Sequence, residues 1–255
     1  MNIRMDPMCA AGFKSRCQTA RKVTEAWAWT NLYCIACESD RITPLPSNTE
    51  AADFTCVRCG ALYQLKAMRR WNERRVPDAG FDAMMRALKN DSTPNLVLMH
   101  YSDDWLVRDL LLVPSFFFSP AAVQKRNPLG PSARRAGWVG CNILLTEIAD
   151  DGKIRVITQG VPEPPQLVRD RFRSVRPLAT INARVRGWTL DVLRMIRRLD
   201  KERFSLQDVY GFENDLSAIY PGNRNVRPKI RQQLQILRDI GFIEFEGAGR
   251  YRVLH

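Results

Sequence analysis

Histidine and long apolar segments are both scarce in this chain of 255 residues. The 2 histidines, His100 and His255, are too few for a histidine-based catalytic or metal site. No apolar run approaches the ~20 residues that a membrane-spanning helix needs. Residues 1–17 also lack the apolar core of a signal peptide. We therefore expect a cytoplasmic protein that has no membrane partner.

Acidic residues are in deficit as well. The chain contains 27 Asp and Glu residues against 39 Lys and Arg residues, which gives a formal net charge of +12. Such an imbalance favours a polyanionic partner, and nucleic acid is the commonest one. General solubility is the alternative explanation, but the basic residues are clustered along the chain.

Cysteine is uncommon too, with 7 residues, yet four of them form two Cys-x-x-Cys pairs. Cys34 and Cys37 make the first pair, and Cys56 and Cys59 the second. Two such pairs can place four thiolates tetrahedrally around one zinc ion, in the closed geometry of a structural site. The alternatives are two disulfides or a chance arrangement, and a reducing compartment argues against disulfides. We predict a structural Zn²⁺ ion.

Polar residues with a different chemistry are interleaved with the cysteines. Ala51–Thr55 and Ala61–Lys66 have the pattern of two short strands joined by the second cysteine pair. Alternate side chains share a face of a strand, so Gln64 and Lys66 point the same way, and Asp53 can meet them. A carboxylate and an amide oxygen suit Mg²⁺, and a neighbouring lysine can stabilise charge on phosphate. By themselves these residues fit an exposed hairpin better, because the motif is weak.

The first part of the chain predicts an α/β layer architecture, since helices flank a run of strands. Residues 67–78 are basic and are interpreted as a loop, which either touches a phosphate backbone or is simply a surface loop. Residues 160–177 are rich in proline and arginine and lack apolar periodicity. They are interpreted as a linker that leaves the first domain.

Residues 125–142 differ from their surroundings because three glycines and two prolines predict an irregular loop. Arg134 and Arg135 supply positive charge, and Trp138 lies between glycines. A basic loop with an aromatic side chain suits stacking on a nucleic-acid base. The alternative is a tryptophan that anchors the loop to the core, and composition alone favours it.

The C-terminal segment predicts a winged helix, with three helices followed by a hairpin. The third helix buries a stripe that starts at Val226, and its exposed side has no acid before Asp239. Such a helix would lie in the major groove of DNA, where arginine can bond guanine and glutamine can bond adenine. A protein partner is the alternative, and the basic face argues against it. The predicted DNA-binding residues are Arg224, Arg227, Lys229, Arg231, Gln232 and Gln235.

Three stretches of the sequence together resemble the family of DpnI-like Dam-replacing proteins. The first is Asp53 with Gln64-Leu65-Lys66 and the surrounding cysteine pairs; the second is Pro131–Trp138, and the third is Lys229–Asp239. The resemblance runs nearly end to end. It implies a PD-(D/E)xK nuclease domain with a zinc site at residues 1–178, followed by an α+β winged-helix domain at residues 183–255.

The resemblance also implies an activity. Members of this family cut double-stranded DNA at GATC sites that carry N6-methyladenine, and they need Mg²⁺. Carried over, Asp53 and Gln64 would hold Mg²⁺ with the carbonyl of Leu65, and Lys66 would attend the attacking water. Trp138 would line a methyl-adenine pocket, together with the basic loop that contains Arg134 and Arg135. We expect a monomeric restriction endonuclease of a restriction–modification system.

One position departs from the family pattern, which has glutamate where this chain has Gln64. A neutral amide binds Mg²⁺ more weakly than a carboxylate because it offers a dipole rather than a charge. Two alternatives therefore stand beside the methyl-directed endonuclease. One is a reader or regulator of methylated DNA with a degenerate nuclease site, and the other is a nuclease with a different substrate, such as branched DNA.

Overall fold

The computed structural model describes residues 1–46, 49 and 51–254. Three residues of the loop between the cysteine pairs, and His255, lie outside the described residues. The described chain forms two compact units, each built from segments that are separate in sequence. The first unit contains Met1–Asn72, Thr93–Ser115 and Asp151–Arg176. The second contains Glu73–Ser92, Phe116–Asp150 and the described residues from Pro177 onwards.

A seven-stranded sheet forms the centre of the first unit. Its strands, in spatial order and numbered along the whole chain, are β1 (Thr43–Pro44), β2 (Phe54–Thr55), β3 (Leu62–Met68), β5 (Asn95–Tyr101), β6 (Val107–Val113), β9 (Ile154–Thr158) and β10 (Val161–Pro162). Among the strand pairs of this sheet that the described residues form, β3–β5 is parallel and the others are antiparallel. Strands β5 and β6 are apolar and largely buried, which is the pattern of central strands covered on both faces.

Two helices pack against this sheet, α1 (Arg16–Asn31) on β3 and α3 (Pro165–Val175) on β9. The presence of α3 shows that the interpretation of residues 160–177 as a linker was wrong. Val168, Phe172 and Val175 are buried at helical spacing. The helix was not predicted because arginines are frequent between these apolar residues and gave the segment a polar composition.

The second unit contains a three-stranded sheet, in the order β4 (Arg75–Gly80), β8 (Gly140–Leu144) and β7 (Val123–Lys125), and the helix α2 (Phe81–Lys89). The prediction of a loop over residues 67–78 was wrong at both ends of that range. Strand β3 continues to Met68, and strand β4 begins at Arg75. Residues 119–125 form one 3-10 turn, Pro120–Ala122, followed by strand β7. Strand β3 is extended by its pairing with β5, whereas β4 and β7 both form by pairing with β8.

The rest of the second unit has the helix and strand order of the predicted winged helix. Its elements are α4 (Ala183–Arg198), β11 (Arg203–Ser205), α5 (Leu206–Tyr210), α6 (Glu213–Ile219), α7 (Val226–Asp239), β12 (Ile243–Gly247) and β13 (Arg250–Val253). The predicted second helix is divided into α5 and α6 around Gly211, a residue that disfavours helix interiors. Ser205 and Asp208 form a capping box at the start of α5. No helix among the described residues is long and apolar enough to cross a bilayer.

Buried polar contacts fix the third winged-helix helix, α7, against α4. The hydroxyl of Thr189 donates to Oε1 of Gln233 at 2.8 Å, and both side chains are fully buried. Two residues further along α4, buried Asp191 accepts hydrogen bonds from the hydroxyls of Ser119 and Tyr220. Burial raises the pKa of Asp191 to about 6 despite these bonds. Satisfied polar groups of this kind specify one arrangement of a core.

Candidate functional site

The four paired cysteines lie together in the first unit, and their Sγ atoms all lie within 4.8 Å of one another. The Sγ atoms of Cys34 and Cys59 are 3.5 Å apart, and those of Cys37 and Cys56 are 3.6 Å apart. These separations exceed the ~2.05 Å of a disulfide. They approach the spacing of about 3.8 Å that four thiolates have in a tetrahedron with Zn–S bonds of about 2.3 Å. The cluster therefore has the ligand type, number and spacing of a structural zinc site.

Tyr63 connects the cysteine cluster to strand β3. Its side chain is 1% exposed, and its hydroxyl oxygen accepts a hydrogen bond from the amide of Ile35 at 3.2 Å. The hydroxyl also lies 3.1 Å from Sγ of Cys34, and it would donate to that sulfur once Cys34 is a thiolate ligand. A hydrogen bond to a ligand atom orients that ligand and tunes the metal site. Tyr63 is also the residue immediately before Gln64.

The side chain of Arg169, in α3, binds the backbone of the loop that carries the first cysteine pair. Its guanidinium donates to the carbonyl oxygens of Cys34 and Ser39, each at 3.1 Å. It also pairs with the carboxylates of Glu38 and Asp40. Arg169 is only 7% exposed, so these bonds compensate the burial of its charge. The predicted linker thus supplies a structural contact to the cysteine cluster.

Asp53 is held against β3 by two hydrogen bonds. Its amide donates to the carbonyl of Tyr63, and the amide of Leu65 donates to its Oδ2 atom, both at 2.8 Å. Strand β2 begins only at Phe54, so the carboxylate takes the place of a strand partner for Leu65. Burial and the negative charge of Glu25 raise the pKa of Asp53, while the Leu65 amide and Lys66 oppose the shift.

Gln64 and Lys66 lie on either side of the residue that Asp53 contacts. They face Leu96 and Leu98 in the parallel β3–β5 ladder, which places them on one face of the sheet. Both side chains are half-buried. The structure therefore places the Asp53 carboxylate at Leu65, between Gln64 and Lys66 in sequence, and the joint role of these three residues stays a prediction.

Asp53 also lines a cleft of about 490 Å³ on the surface of the first unit. One wall is a face of α1 that presents Glu25, Trp29 and Arg21. Arg21 pairs with Glu25 at 2.5 Å, and the charges of both reach Asp53. Trp29 is 55% exposed, which is unusual for so large an apolar side chain. The cleft thus combines carboxylates, a guanidinium and an aromatic surface.

The face of α1 that lines this cleft was not predicted from the sequence. The predicted site residues did not include Glu25, Arg21 or Trp29. The signal was present, because residues 21, 25 and 29 recur at four-residue intervals and share one face of a helix. What the sequence could not show is that this face borders Asp53.

The predicted base-stacking loop belongs to the second unit. Its ends are pinned by the hydrogen bond from the amide of Arg126 to the carbonyl of Gly140. Trp138 is half-buried, and the guanidinium of Arg135 lies 4.5 Å from the centre of its ring. Arg134 is exposed. The loop therefore presents one aromatic ring together with two cations.

The predicted DNA-binding residues, which lie on α7 except for Arg224 just before it, fall into two groups. Arg227 pairs with Glu213 at 2.7 Å, and Lys229 donates to Gln232 at 2.8 Å. The side chains of the others are exposed, and among the described residues they have no hydrogen bond, ion pair or ring contact. This second group consists of Arg224, Arg231 and Gln235.

Comparison with known protein families identifies both parts of the chain. The model of the DpnI, or Dam-replacing, family matches residues 1–181. The model of the Dam-replacing helix-turn-helix domain matches residues 184–253. The two matches confirm the resemblance found in the sequence, and they point to a methyl-directed restriction endonuclease with a DNA-binding helix-turn-helix domain. The division into functional domains at residues 178 and 183 stays a prediction.

The cysteine cluster predicts that the purified protein carries one zinc ion that stabilises the first unit. Replacing Cys37 by serine should remove the ion and lower the Tm, because an incomplete thiolate set binds zinc poorly. Elemental analysis and thermal unfolding measure the two effects. Cys17→Ser is the matched control, since Cys17 is exposed and lies outside the cluster. Equal zinc content and Tm in the two variants would contradict the assignment.

Proposed function

We propose that this chain, which belongs to the DpnI-like Dam-replacing family, is a restriction endonuclease that hydrolyses double-stranded DNA at GATC sites carrying N6-methyladenine. The observation that carries the proposal is the hydrogen bond from the Leu65 amide to the Asp53 carboxylate. That bond places an acid beside a glutamine and a lysine on one strand. Residue types of this kind suit metal-assisted phosphodiester hydrolysis.

The fold of the first unit supports a PD-(D/E)xK nuclease core. A helix, α1, precedes the hairpin of β2 and β3, and the parallel strand β5 and antiparallel strand β6 follow beside it. Asp53 lies at the start of the hairpin, and Gln64 and Lys66 lie in its second strand. This is the order in which the PD-(D/E)xK motif places its acid and its lysine.

The donor set fits a hard divalent cation. Asp53 uses Oδ2 for the Leu65 amide, which leaves Oδ1 for an ion, and its pKa is raised chiefly by burial. The amide oxygen of Gln64 and the carbonyl of Leu65 would complete the oxygen ligands for Mg²⁺. When bound, Mg²⁺ supplies charge to polarise the phosphate and acidify a water. Lys66 would orient the attacking water and stabilise the charge that develops on the phosphate oxygens.

Glu25 offers the negative charge that Gln64 lacks. It lines the same cleft as Asp53, and its charge raises the pKa of Asp53. Arg21, which pairs with Glu25, neutralises part of this charge while no cation is bound. We infer that Glu25 contributes a second carboxylate to the Mg²⁺ site, directly or through a water. Trp29 and Lys22 on the same wall would then contact the DNA backbone near the cut.

Recognition is assigned to the second unit. Trp138, with Arg134 and Arg135, would form the pocket for the methylated adenine, and the winged helix would read the rest of the site. Arg231 and Gln235 are separated by one helical turn on the exposed side of α7, so both can reach base edges in one groove. Arg227 and Lys229, held by Glu213 and Gln232, would serve as backbone contacts.

A second candidate is a methylated-DNA reader that does not cut. The neutral side chain at Gln64 favours it, because a site with one fewer carboxylate binds Mg²⁺ less well. The two candidates share the same DNA contacts and differ only in turnover.

Incubation with matched methylated and unmethylated GATC plasmids and Mg²⁺ tests the proposal. We expect cleavage of the methylated plasmid alone. Lys66→Ala should lower the cleavage rate by about 10²-fold to 10⁴-fold, as for loss of a group that assists proton transfer, with little change in DNA affinity. Methyl-dependent gel retardation without cutting would favour the reader. Cutting of both plasmids alike, or of branched DNA alone, would contradict methyl-directed cleavage.

The charge at the cation site can be tested by exchanging carboxylate and amide. Gln64→Glu should preserve or raise the cleavage rate. Glu25→Gln should raise the Mg²⁺ concentration needed for half-maximal cleavage by at least ~10-fold, the loss that even an indirect metal partner causes. The control is Glu163→Gln, since Glu163 is equally exposed and also pairs with an arginine. An inactive Gln64→Glu variant would mean that the amide itself is required.

Base reading and phosphate contact on the winged helix predict different outcomes. Gln235→Ala should cost about 1–3 kcal/mol of affinity for the preferred site and leave non-specific binding unchanged. Arg224→Ala should weaken binding to all sequences and lower the salt slope by about one counterion. Fluorescence anisotropy over a salt series measures both. A loss for Gln235→Ala that is equal on every sequence would rule out base reading.

A further inference from the structure

Trp138 packs directly on the backbone of two glycines. A Cβ atom placed on Gly140 would lie 2.8 Å from both Cη2 and Cζ3 of the indole. A Cβ atom on Gly80 would lie 3.6 Å from the indole Nε1. Any larger residue at position 140 would therefore overlap the ring, whereas position 80 has room for a methyl group in ordinary contact.

The two glycines are neighbours in the sheet, which makes their contact with the indole a single surface. Gly80 pairs with Gly140 in the β4–β8 ladder, at a point where the register shifts after Pro77. Next to this pair, the amide of Phe81 donates to the carbonyl of Val139 at 3.1 Å and extends the pairing of the two chain segments. The indole thus rests on rigid backbone rather than on flexible side chains.

Arg135 adds a contact that holds the ring from within the loop. Its guanidinium lies 4.5 Å from the ring centre, and the amide of Trp138 donates to the carbonyl of Arg135 at 3.0 Å. Arg135 is exposed, so its charge remains available to a phosphate. An arginine over an aromatic face is attracted by the ring quadrupole.

We propose that Gly140 is a specificity-determining position that sets the place of the Trp138 indole for contact with a methylated base. The proposal rests on the assignment of Trp138 to the methyl-base pocket. Gly140 is a positioning residue, since it acts through the indole and does not touch the DNA. Its absent side chain is what lets the ring approach the sheet.

The test compares Gly140→Ala with Gly130→Ala, a substitution in the same loop at a glycine that has nothing within 4 Å of its Cβ position. Affinities for methylated and unmethylated duplexes are measured without added divalent cations, so that binding is observed apart from cleavage. Gly140→Ala should lower the preference for methylated DNA by about 4-fold or more, equivalent to one lost methyl contact. Gly130→Ala and Gly80→Ala should keep the preference.

Trp138→Ala separates this inference from the proposed function. If Trp138→Ala abolishes the methyl preference and Gly140→Ala leaves it intact, the positioning role is wrong while the pocket stands. If Trp138→Ala itself keeps the preference, the pocket assignment fails, and the positioning role fails with it.

A second variant covers the case in which Gly140→Ala destabilises the fold. Trp138→Phe removes the outer ring atoms that the new methyl group would meet. The Tm loss caused by Gly140→Ala, expected to exceed roughly 2–4 °C, should then shrink in the Trp138→Phe background. An equal loss in both backgrounds would show that Gly140 serves the backbone alone and would overturn the proposal.

Discussion

The hydrogen bond between the Leu65 amide and the Asp53 carboxylate is the constraint on which the candidate site depends. It exists because β2 begins one residue after Asp53, which leaves that amide of β3 without a strand partner. The Asp53 carboxylate accepts the hydrogen bond instead, because a backbone amide away from water needs an acceptor. The same contact that completes the strand therefore places the acid beside Gln64 and Lys66.

The cysteine cluster and its surroundings keep that hairpin in place. Tyr63 spans the distance between the Cys34 thiolate and the backbone of β3, and Arg169 fixes the cysteine loop from α3. A zinc ion at the cluster would act on the candidate site only through these contacts, since four cysteine ligands leave no open position for chemistry. The cysteine cluster thus supports the hairpin that carries Asp53. The opposite wall of the cleft, on α1, carries exposed and charged side chains.

Local patterns predicted the parts of the molecule that local contacts determine. Three such patterns are local in sequence: the spacing of the cysteines, the alternation in β3 and the apolar stripe of α7. The helix at Pro165–Val175 was missed because arginines interrupt its stripe, and β4 was missed because its partner β8 lies some sixty residues away. The approach of Glu25 to Asp53 and of Gly140 to Trp138 depends on tertiary packing, which a single sequence does not encode in any short pattern.

The central claim is that Asp53 and the strand that carries Gln64 bind a divalent cation, separate from the ion of the cysteine cluster. Anomalous diffraction from crystals grown with Mn²⁺, recorded at the manganese and zinc absorption edges, tests it most directly. The account predicts a manganese peak within about 2.5 Å of an Asp53 oxygen, and a zinc peak between the four Sγ atoms. A zinc peak at the cysteines with no manganese beside Asp53 would contradict it.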